Sequence, residues 1–73
     1  GYLSNATGLY ARLTPRELLR YFGRLHGIAD EALEARIEAL VDAFSMGAFA
    51  DGRCEALSTG QRQRVSIARA VLH

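Results

Sequence analysis

Apolar residues recur at helical spacing in three separate stretches of this chain. Leu18, Phe22 and Leu25, with Leu19 beside them, form the first stripe. Leu33, Ile37, Leu40 and Phe44, with Val41 alongside, form the second. Val65, Ala68 and Leu72, joined by Ile67 and Val71, form a broad third, with Arg62, Ser66, Arg69 and His73 on the opposite side. The boundaries are marked by local chemistry. Thr14-Pro15-Arg16-Glu17 supplies a capping hydroxyl, a proline at the first helical position and a glutamate that reaches back to the cap N–H. This predicts a first helix from Thr14 to about His26, with Gly27 as its left-handed terminator. A second helix opens at Asp30, with Glu31 in its first turn, and Gly47 closes it. Ser58 caps a third, and Gln61 three residues later completes a second capping box. Residues 1–13, GYLSNATGLYARL, suit the exit of a strand and a loop, and residues 45–56 read as a connection.

The fold class is therefore mainly α, a three-helix unit. Seventy-three residues with 49% apolar content and one Cys make at most one domain, whose core supplies about 3–5 kcal/mol. The chain opens at Gly1 and stops at His73 inside a helical pattern, so the expectation is a segment of a larger unit. No apolar run approaches the roughly 20 residues of a membrane span, and no signal-peptide pattern is present, which predicts a soluble segment. Cys54 is expected to be a reduced space-filler, His26 a helix-end residue and His73 a surface residue.

Net charge is only +1, yet its distribution is uneven: all nine basic residues are arginine. Arg16, Arg20 and Arg24 line one face of the first helix, while Glu31, Glu34, Glu38 and Asp42 line one face of the second. Two readings stand side by side. One is a pair of solvated faces with weak ion pairs; the other is a docking surface for a partner segment.

The third helix carries candidate chemistry. A helix N-terminus presents unpaired N–H groups and about half a positive charge, and Gly60 has no side chain to hold an anion away. The Ser58 hydroxyl can accept the capping N–H and still donate to a phosphate oxygen. Leu57-Ser58-Thr59-Gly60-Gln61, then Gln63-Arg64-Val65 and Ile67-Ala68-Arg69-Ala70, resembles the signature motif of ATP-binding cassette (ABC) ATPases and the helix after it. The resemblance extends along the chain. Residues 1–13 look like a Q-loop segment leaving the catalytic core, 14–47 like the inserted helical subdomain, 48–56 like a linker, and 57–73 like the signature and its helix. Gly8-Leu9-Tyr10, Leu13-Thr14 and Asp51-x-Arg53 are similar to ATPases of drug, sodium or polysaccharide exporters with separate membrane subunits.

The resemblance implies a helical part of a larger α/β P-loop NTPase domain that hydrolyses ATP, with Mg2+, when two such domains close on each other. Ser58, Thr59, Gly60 and Gln61 would contact the γ-phosphate of ATP held by a second, like domain. Arg64 and Arg69 would be structural. The implied partners are that second domain, as a homodimer, and a membrane-spanning permease subunit, with no nucleic acid; the implied location is the cytoplasmic face of the membrane. Asn5 stands at the position of the Q-loop glutamine, one methylene shorter, which reduces its reach to magnesium or the attacking water. Thr59 replaces the commoner glycine. The chain contains no lysine for a P-loop and no catalytic acid, so these are expected outside it and the segment alone is expected to be inactive. Two other readings compete. One is a soluble, ribosome-associated ABC ATPase. The other is a small nucleic-acid-binding module using Arg62, Arg64 and Arg69, which the near-neutral charge and the divergent directions of those arginines disfavour.

Overall fold

The computed structural model describes residues 10–72, and three helices dominate it: α1 (Pro15–Leu25), α2 (Asp30–Ala43) and α3 (Thr59–Val71). The Thr14 hydroxyl accepts from the Glu17 N–H at 3.1 Å, and the Glu17 carboxylate accepts from the Thr14 N–H at 2.9 Å, so the first capping box forms as predicted. At the other end Gly27 takes φ 77°, which a side chain would oppose. Ile28 N–H then donates to Gly23 O and Gly27 N–H to Arg24 O, closing α1 in a Schellman motif.

The second helix opens at Asp30 with Glu31 in its first turn, as expected, and departs from expectation at its C-terminal end. Its N-cap is Ala29, extended at ψ 145°, while Asp30 is already helical. The Asp30 carboxylate faces Arg24 at 3.4 Å instead of capping the helix. The terminator is Ser45, not Gly47: Ser45 adopts φ 53°, Met46 N–H donates to Val41 O at 2.8 Å and Ser45 N–H to Asp42 O at 3.2 Å. The stop falls where Met46 can bury itself beside Val41, and that apolar contact outweighs the roughly 1–2 kcal/mol of left-handed strain at a serine.

The core joins Leu18 and Leu19 of α1, Leu33, Ile37 and Val41 of α2, and Val65 and Ala68 of α3. Leu72, just past α3, is fully buried with them. The stripes were drawn too wide. Leu25 is 64% exposed in the last turn of α1, and Ile67 and Val71 are 51% and 52% exposed. The last two lie on α3 about a third of a turn away from Val65, Ala68 and Leu72. Conversely, the connection after α2 contributes Met46, Phe49 and Ala50 to the core. It is tied down by Arg16 N–H to Ala50 O and Cys54 N–H to Leu13 O, and it ends in a short 3-10 helix, Cys54–Ala56.

α1 packs against both α2 and α3. Gly23 makes the α1–α2 approach possible, since a Cβ built on it would overlap Leu33 Cδ1 and lie 3.0 Å from Cδ2. The charged faces then meet across this seam. Arg20 grips Glu34 with two bonds, Nε to Oε2 at 2.6 Å and an Nη to Oε1 at 2.9 Å. Arg16 pairs with Glu38 and, at 3.0 Å, with Asp51, while Arg24 pairs with Asp30. The arginine face is thus turned onto acids of the same chain, as the ion-pair reading expects; Asp30 and Asp51 join it from outside the expected acidic stripe.

Gly23→Ala is expected to destabilise the fold by about 1–3 kcal/mol, because buried Leu33 must leave its rotamer or the helices must part; urea unfolding measures it. The Arg20 hydrogen bond, ahead of its charge, holds the Glu34 carboxyl below its ordinary 4.5. The sign follows: stability from this pair is present above the ordinary value and lost as pH falls through the depressed one. Glu34→Gln should therefore flatten the acid limb of the stability profile below about pH 4.5, with thermal midpoints from pH 7 to 3 as the readout.

Candidate functional site

Ser58 is extended at φ −68°, ψ 165°, and its hydroxyl accepts from the Gln61 N–H at 3.2 Å. The Gln61 side-chain oxygen accepts from the Ser58 N–H at 3.0 Å. The next amide, Arg62 N–H, donates to Ser58 O at 2.9 Å. Of the amides opening α3, the box thus occupies that of Gln61, and helix geometry leaves those of Thr59 and Gly60 with no acceptor inside the helix.

Ser58, Thr59 and Gly60 are exposed, Gln61 is half-buried, and a Cβ on Gly60 would meet nothing within 4 Å. The backbone there is open to an approaching group. The first turn of α3 contains no acid, so no side chain of that turn cancels the positive end of the helix dipole. Arg62 adds a cation and is anchored by donating to Glu55 O at 3.0 Å. Two free amides, a hydroxyl able to donate and the positive end of the helix dipole suit an anion such as a phosphate. The arrangement does not suit a metal ion: among the described residues no three His, Cys, Asp or Glu side chains gather as ligands.

The structure therefore brings Ser58, Thr59, Gly60 and Gln61 to one helix end. Asn5 and His73 lie outside the described residues. Arg62, Ser66 and Arg69 do not stand opposite the apolar face, as the helical pattern suggested. They border it, and with Tyr10, Leu18 and Phe22 they line a cleft of about 290 Å3 between α1 and α3. Arg69 lies over the Phe22 ring at 4.8 Å and Tyr10 meets the same ring at 5.5 Å, so Arg69 is a packing residue of the α1–α3 junction. Sequence reasoning missed this cleft, and the available signal was the aromatic pair Tyr10 and Phe22 flanking Thr14. Cys54 is half-buried beside the core, and burial pushes its thiol up against the pull of Arg62. It is a packing residue, not a nucleophile.

The described residues are helical, and α3 opens with an exposed, serine-capped end. The chain belongs to the ABC transporter family, whose family model matches residues 1–73. It is 48% identical over 67 residues to the ABC transporter ATP-binding protein NatA of Bacillus subtilis, covering 92% of this chain and 27% of that protein. It is 39% identical over 64 residues to the lactose transport ATP-binding protein LacK of Rhizobium radiobacter, covering 88% of this chain and 18% of LacK. Identity is 29% over the whole chain, and 13% of the relative's length, for the probable multidrug ABC transporter ATP-binding protein YbhF of Escherichia coli. The chain thus spans between 13% and 27% of the length of these relatives. No solved structure matches the chain significantly. Among the described residues no helix is long and apolar enough to cross a membrane.

Ser58→Ala removes the hydroxyl that caps α3, and it is expected to cost about 1 kcal/mol of stability in urea unfolding, with Ser58→Gly costing less.

Proposed function

We propose that this chain is the helical and signature portion of the ATP-binding subunit of an ABC transporter. Within it, 1–13 is the Q-loop segment, 14–47 the helical subdomain, 48–56 the linker, and 57–73 the signature with its helix. Ser58 and the amides of Thr59 and Gly60 hold the γ-phosphate of ATP bound by a second, like domain. Gln61 lies beside them and keeps its amide N–H groups as donors while its oxygen serves the cap. The observation that carries this reading is the open, acid-free end of α3, in which the capping box leaves two amides unused. Preorganised donors of this kind couple ATP binding to closure of the two domains and stabilise charge on the transferring phosphoryl group.

The P-loop, the catalytic acid and most of the Mg2+ ligands belong to residues outside 1–73, and the segment alone does not hydrolyse ATP. The intact subunit works at the cytoplasmic face of the membrane with a permease, and as a pair with its own copy. The transporter reading is preferred to a soluble, ribosome-associated ATPase because the relatives' names refer to transport.

The test is made on the intact subunit with its permease. Ser58→Arg and Gly60→Asp should lower ATP turnover by about 10²-fold or more while ATP binding to the separated subunit stays within about twofold. Gln61→Glu, which keeps the cap geometry and adds a negative charge, should also depress turnover. Weakened ATP binding in the separated subunit would show that the helix end serves nucleotide in its own domain; unchanged turnover would remove it from the site altogether.

A further inference from the structure

We draw no further inference here: the strongest candidate, the cleft between α1 and α3 lined by Tyr10, Phe22, Arg62 and Arg69, carries nothing because nothing in the structure shows what covers it.

Discussion

Leu33 lies with its side chain against Gly23, where any Cβ would overlap it, and this contact brings α1 and α2 close enough for arginine and carboxylate to meet. The apolar contact and the ion pairs depend on each other unequally. Exposed pairs are worth at most about 1 kcal/mol each, far too little to hold two helices together against the entropy of ordering them. The burial of Leu19, Leu33 and Ile37 provides the attraction, and the pairs fix the register in which it is realised. α1 then serves as the common support, because α3 packs on its other side through Leu18, Phe22 and Arg69.

The same capping geometry appears at the start of α1 and of α3, with one chemical difference. α1 closes its box with Glu17, α3 with Gln61. Both side chains accept from the cap N–H equally well, but a glutamate places a negative charge on the positive end of the helix. At α1, where the end only needs stabilising, that charge is favourable. At α3 it would repel a phosphate, and the neutral amide keeps the hydrogen bond without the charge. Arg62 continues the same pattern, since a cation in the first turn is unfavourable for the helix and favourable for an anion arriving at it.

What could be read from the sequence was what the chain decides within four or five residues. The Thr14 and Ser58 caps and the Gly27 terminator are closed loops of local hydrogen bonds, and all three appear where the residues place them. Ser45 was not legible, because the residue that ends α2 is chosen by where Met46 finds burial. The apolar stripes located the buried side of each helix but not its width. Leu25, Ile67 and Val71 have the periodicity of core residues, and only the arrangement of the helices leaves them outside it. The open, serine-capped end of α3 was visible because a cap, a small residue and an adjoining basic residue are sequence-local; the cleft and the Arg36–Leu72 hydrogen bond join distant segments and leave no local trace.

The absence of lysine acquires a physical sense once the partners are known. Arg20 needs two parallel donors to hold both oxygens of Glu34, and Arg16 reaches Glu38 and Asp51 with different nitrogens. Arg36 and Arg62 donate to main-chain carbonyls, and Arg69 lies over an aromatic ring. Each of these uses the flat, multi-donor guanidinium, whose weaker hydration lowers the cost of bringing it against a protein surface. A lysine at the same positions would keep the charge but offer one compact ammonium, reaching one acceptor site at a time. These arginines therefore act chiefly as connectors within the chain.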